Sequence, residues 1–147
     1  MRSVIQKVRK YFDAPGDVVT FFRIPVCIVR IPVLTRRYGL EELIKKLTPR
    51  RENGGVNREK IIVYANWWLN RKVAMFRPTC FKRSLILYRF LRENGAPVRI
   101  HYGIKKTPEK GQEGHSWVSL DGVSLPPDGE SAHEYRQTFV YPPEDAS

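Results

Sequence analysis

The stretch HSWVSLDGVSL, residues 115–125, decides how the second half of the chain folds. Polar and apolar residues alternate on both sides of Asp121-Gly122, and that dipeptide suits a two-residue type I′ turn. The stretch therefore predicts an antiparallel hairpin. A two-residue turn also fixes the register. Leu120 then faces Val123, Val118 faces Leu125, and His115 faces Asp128. Val118, Leu120, Val123 and Leu125 are expected to build one apolar face. Opposed residues point the same way with Cβ atoms about 5 Å apart, so the Asp128 carboxylate is expected to orient the His115 imidazole. Pro126 and Pro127 donate no ladder hydrogen bonds and weaken the pairing at that end.

Working upstream, Val98, Ile100, Tyr102 and Ile104 alternate as a strand, and the polar run 105–114 reads as a loop. Before it, CFKRSLILYRFLREN (residues 80–94) has Phe81, Leu85, Tyr88 and Leu91 at helical steps. Asn94-Gly95 stops that helix, because these residues tolerate positive φ. Arg77-Pro78-Thr79 opens it, which puts Cys80 at the helix start. Unsatisfied N–H groups and the helix dipole there favour a thiolate. A cysteine at a helix start, with His and Asp on strands, supplies a nucleophile, a base and an orienter. Asp121 ranks second as orienter, because its place in the turn already explains it. Arg83 is placed to pair with the acidic C-terminal part, and Ser84 to back-bond within its helix. Trp117 shares the His115 face and is expected to shield the site and touch substrate. His101, on the neighbouring strand, is expected to line the same cleft. His133 reads as solvent-facing.

The N-terminal part reads as helical. Ser3 caps a short helix to Phe12, ended by Pro15-Gly16. Asp17 caps a greasy helix that Pro25 or Pro32 bends or divides. Leu40 to Leu47 forms a short amphipathic helix stopped by Thr48-Pro49. Residues 50–55 form a loop, and Asn57 caps a helix running to about Met75. Gln137 to Tyr141 adds a last strand. Trp67 and Trp68 read as core and rim rather than a ligand box. The greasy segment from Val18 to Leu34 carries Arg23, Pro25, Arg30 and Pro32, which argues against spanning a bilayer and leaves shallow membrane-surface contact open. The expected architecture is α+β and a single domain: a basic helical part (1–55), a core with a small antiparallel sheet (56–141) and a tail (142–147).

With 147 residues and 41% hydrophobic content, the chain supports one packed core. Its charge is +11, unevenly spread: residues 1–110 hold 25 basic and 8 acidic side chains, and residues 111–147 hold 1 and 7. The basic part implies an acidic partner or a solvated surface. No RNA- or DNA-binding motif accompanies it, so no specific nucleic acid is expected. Cys27 and Cys80 form neither a disulfide scaffold nor a zinc cluster, and the chain lacks a secretory signal. These features point to a reducing, cytoplasmic setting. Cys27, in the greasy segment, reads as core. His101, His115 and His133 are too dispersed for a metal motif, and no metal or other cofactor is expected.

Three matched pieces carry a family resemblance. Cys80, followed by Arg83-Ser84-Leu85, then Leu91-Arg92 to Gly95, then His115-Ser116-Trp117-Val118, resembles the lasso peptide biosynthesis B2 proteins. These are transglutaminase-like leader peptidases with a papain-like Cys-His-Asp triad. The resemblance covers about residues 60–128. Ser116 stands where the family usually has Ala, and Ser119 where an acidic residue is frequent.

The resemblance implies a transglutaminase/papain-like cysteine peptidase core, with Cys80 as nucleophile, His115 as base and Asp128 as the downstream carboxylate. It implies a precursor peptide as substrate, cleaved at its leader junction through a Cys80 thioester. It also implies a leader-recognition protein of the PqqD-like type and an ATP-dependent lasso cyclase as partners. Two other readings stand beside it: a transglutaminase-like assembly module that has lost catalysis, and a basic nucleic-acid or membrane-surface binder.

Overall fold

The computed structural model describes residues 10–71 and 79–144. Among the described residues, four complete helices precede the sheet: α1 (Pro15–Arg37), α2 (Leu40–Leu47), α3 (Arg58–Leu69) and α4 (Cys80–Glu93). Strands β1 (Val98–Thr107), β2 (Gly111–Leu120), β3 (Val123–Ser124) and β4 (Arg136–Tyr141) follow. They form one antiparallel sheet in the order β3-β2-β1-β4, so the fold is α+β, as expected. The expected Ser3 cap and Arg77-Pro78 helix opening lie outside the described residues.

The helices pack on one face of the sheet. Leu85, Ile86, Tyr88 and Leu91 of α4 are buried and share a core with Ile24, Ile28 and Ile31 of α1 and with Ile61 and Ala65 of α3. Val98 and Ile100 of β1 and Val118 of β2 close that core from the sheet. Each large side chain so buried stabilises the fold by about 1.5–3 kcal/mol, which makes packing the main hold on the helices. Two polar contacts tie the helices to one another. Arg23 of α1 forks onto Glu93 at the end of α4, at 2.8 and 3.1 Å. The Tyr88 hydroxyl meets Thr48 Oγ1 at 2.9 Å, just past α2.

Several local expectations are corrected. Asp17 is not the cap of α1. Pro15 opens the helix, where its missing N–H costs nothing. Asp17 sits two positions on and reaches back to accept from Ala14 N–H at 3.1 Å. It also meets Lys60 Nζ at 2.8 Å. The helix is not divided, and Pro25 and Pro32 both lie inside one continuous element. It is long and apolar enough to cross a membrane by length and composition, but its inner face belongs to the core. Asn57 caps α3 as expected, accepting from Glu59 N–H at 2.8 Å, but α3 ends at Leu69.

The run 105–114 is not a loop. β1 continues to Thr107 and β2 begins at Gly111, so only residues 108–110 turn. Inter-strand hydrogen bonds are indifferent to side-chain polarity, and these strand ends are solvated. Beyond Leu120 the predicted turn forms, with Asp121 at φ 53° and Gly122 at φ 80°. Arg58 reaches the Asp121 carboxylate at 3.3 Å. Leu120 pairs with Val123 as the register required. Val123 does not join an apolar face, however, and keeps 67% of its surface exposed, because the short edge strand lies beyond the helix layer.

Asp17 is 1% exposed, and its removal leaves the Ala14 N–H without its acceptor and Lys60 with Asp13 alone. Asp17→Ala is expected to lower the melting temperature by about 5–10 °C, read by circular dichroism.

Candidate active site

Thr79 caps α4, with its side chain accepting from Lys82 N–H at 3.1 Å and its carbonyl from Arg83 N–H at 3.0 Å. The N–H groups of Cys80 and Phe81 lie in the first turn, where no preceding helical carbonyl exists to receive them. Cys80 is thus the first helical residue and half-buried, and among the described residues the Cys80 and Phe81 amides find no acceptor.

One turn on, Arg83 points the same way along the helix as Cys80. Its guanidinium meets the Asp128 carboxylate at 3.3 and 3.4 Å, and both side chains are largely buried. The expected pairing of Arg83 with the acidic C-terminal part is therefore formed.

His115 does not meet the Asp128 carboxylate. Its Nε2 lies 2.7 Å from the main-chain carbonyl of Asp128 and 3.4 Å from Ser131 Oγ. The hairpin register explains both the success and the error. Pairing continues as far as Leu125 N–H donating to the Val118 carbonyl at 2.8 Å. Pro126 and Pro127 then offer no N–H, and the chain curls into a turn closed by Gly129 N–H on the Leu125 carbonyl at 2.8 Å. A Cβ on Gly129 would lie 2.6 Å from that same carbonyl, so the curl needs glycine there. Asp128 arrives beside His115, as counted, but with its backbone facing the ring and its carboxylate facing α4.

This has a chemical consequence. A carbonyl oxygen only accepts, so the neutral His115 ring must carry its proton on Nε2. Nδ1 is then the unprotonated nitrogen, and among the described residues it takes part in no hydrogen bond. Nor does any hydrogen bond join the Cys80 thiol to His115 among those residues.

The faces of the sheet divide the work. Ile100 and Val118, opposed in register, enter the helical core. Their neighbours alternate to the other face, where the rings of His101 and Trp117 stack at 5.3 Å, Trp117 and His115 at 6.0 Å, and His115 and Tyr135 at 4.7 Å. The segment 125–135 bridges the two faces along the edge of β2. Its Asp128 carboxylate meets Arg83 on the helix side, and its Asp128 carbonyl, Ser131 and Tyr135 meet His115.

Trp117 and His101, expected as substrate contacts, are both engaged within the protein. Trp117 keeps only 5% of its surface exposed. His101 uses both ring nitrogens, on Gln137 Oε1 and Ser119 Oγ, each at 2.7 Å. Burial pushes its pKa below the ordinary 6.5. Ser131, Tyr135 and Gln137 gave no signal in the sequence, because their roles depend on the 125–135 segment folding back along the sheet. Ser84 does not back-bond: its hydroxyl, that of Ser116 and Arg83 Nε are buried without a partner among the described residues. Asp121 sits in the exposed turn, and His133 is exposed. Cys27 is core, and burial raises its thiol pKa.

A family model described as Transglutaminase-like superfamily matches residues 26–140. Comparison with curated proteins and comparison with solved structures each give no match.

Gly103 faces His115 in register, and a Cβ there would lie 3.0 Å from Tyr135 Cβ and 3.2 Å from Trp117 Cη2. Gly103→Val is therefore expected to push both rings off His115 and to cost about 1–3 kcal/mol in urea unfolding. The lowered His101 value makes a second prediction. The unfolded chain binds this proton more readily than the folded one, so stability falls as pH drops below about 6.5. His101→Gln is expected to flatten that part of the melting temperature profile between pH 7 and pH 5.

Proposed function

The chain belongs to the transglutaminase-like superfamily, and on that premise we propose that it is a cytoplasmic cysteine peptidase that removes the leader from a ribosomally made precursor during lasso peptide maturation. The observation that carries the reading is the contact of His115 Nε2 with the Asp128 carbonyl, which leaves Nδ1 free to serve as base. Cys80 lies one helical turn from Arg83, which holds the same Asp128.

The chemistry runs in two steps. In this reading the thiol and the imidazole meet around the edge of β2, where His115 Nδ1 takes the thiol proton and Cys80 Sγ attacks the carbonyl carbon at the leader–core junction. The N–H groups at the start of α4 meet the developing oxyanion. The carbon–nitrogen bond breaks, the imidazolium gives its proton to the leaving amine, and a Cys80 thioester remains. Water then attacks the thioester as His115 takes its proton, freeing the new carboxyl end and the thiol. Through the whole cycle the Asp128 carbonyl holds the Nε2 proton and the ring orientation. A PqqD-like leader-recognition protein and an ATP-dependent cyclase are the partners this reading calls for.

A catalytically silent assembly module is the second reading, favoured by the missing Cys80–His115 hydrogen bond among the described residues. A cleavage assay with precursor and recognition protein separates the two. Cys80→Ala is expected to abolish cleavage, and His115→Ala to slow it by about 10²–10⁴-fold. Asp128→Asn keeps the main-chain carbonyl and is expected to lose about ten-fold or less. Normal processing by Cys80→Ala would falsify the peptidase reading, and an Asp128→Asn loss as large as that of His115→Ala, in a variant whose fold is intact by circular dichroism, would show that the Asp128 carbonyl alone does not hold the ring.

A further inference from the structure

A helix on the surface of a folded domain normally turns polar residues outward. Helix α1 does not. Its inner face, Ile24, Cys27, Ile28 and Ile31, is core. Its outer face carries Val19, Phe22, Val26, Val29 and Val33 at steps of three and four, exposed by 57, 60, 59, 42 and 60%. The stripe is about 21 Å long at 1.5 Å per residue.

The charges beside it have one sign. Arg23, Arg30, Arg36 and Arg37 lie on the same helix, whose only carboxylate, Asp17, is buried and bonded to Lys60. Arg30, Arg36 and Arg37 form no ion pair among the described residues. A cavity of about 840 Å³ flanks the stripe, and its charged lining is Arg23, Arg30, Lys46 and Arg89. A peptide seated in that cavity would cover Phe22 and Val26 but leave Val29 and Val33, which do not line it, in water. A second copy would bring these cations against themselves. A flat anionic surface covers the whole stripe and meets the cations at once.

We propose that α1 docks the protein on an anionic lipid surface, with the Val19–Val33 stripe in the headgroup–acyl boundary and the arginines on lipid phosphates. The helix lies on the membrane and does not cross it, because Ile24, Ile28 and Ile31 are held by α3 and α4. Arginine stems are long enough to keep their guanidinium groups at the headgroup level while the stripe enters.

The test is flotation of the full chain with vesicles of phosphatidylcholine and phosphatidylglycerol in equal parts, beside pure phosphatidylcholine. The wild-type chain is expected to float with the anionic vesicles, less so at high salt, and to leave the neutral ones. Phe22→Ser combined with Val26→Ser is expected to weaken that partition by about ten-fold or more. Val33→Glu, at the far end of the stripe, gives a second reading if the double variant loses its fold by circular dichroism. Unchanged partition of the folded variants overturns the proposal, as does a wild-type chain that ignores anionic vesicles. Self-association of the wild-type chain that the same substitutions abolish also overturns it, by making the stripe a protein interface.

Discussion

Asp128 is gripped at its carboxylate and at its carbonyl by two layers of the fold, and the rest of the site depends on that grip. Its carboxylate belongs to Arg83 on the first turns of α4, and its carbonyl belongs to His115 on β2. One residue therefore ties the element that carries the thiol to the element that carries the imidazole. Most helix–sheet contacts in the chain are apolar and set only distance. This one is directional at both ends, since one guanidinium nitrogen spanning both carboxylate oxygens and a carbonyl lone pair each demand an angle as well as a separation. The buried Arg83 and Asp128 charges are tolerable only as a pair.

The same contact shows how far the sequence could be read. Counting outward from Asp121-Gly122 placed Asp128 beside His115, because a two-residue turn leaves no freedom in the register. It did not say which atom of Asp128 would arrive there. That depends on Pro126, Pro127 and Gly129, which end the ladder and curl the chain within a few residues. Cys80 at a helix start was legible from Thr79 and the spacing of Leu85, Tyr88 and Leu91. The polar hairpin at 105–114 was not, since its strands bury little and alternate weakly. Tyr135 and Ser131 were invisible for a related reason: they act through a fold-back that no local pattern encodes.

The uneven charge acquires a structural meaning in this arrangement. Much of the basic excess sits on helices whose inner faces form the core, with α1 also apolar on its outer face. The acidic C-terminal part supplies Asp128 to the clasp and Glu134 to Lys105 at 2.8 Å. Lys105 in turn lies over the Tyr135 ring, 4.6 Å from its centre, behind His115. The short acidic part thus closes the site from the sheet edge, while the helical part is left with its cations facing outward.

The central claim is that His115 acts on Cys80, and the most direct measurement is the rate of Cys80 alkylation by iodoacetamide at neutral pH, followed by peptide mass spectrometry. Cys27, buried in the core, serves as the internal reference. The account predicts that Cys80 reacts at least about ten-fold faster in the wild-type chain than in His115→Ala, with Cys27 slow in both. Equal Cys80 rates in the two proteins, with the fold intact, would contradict it.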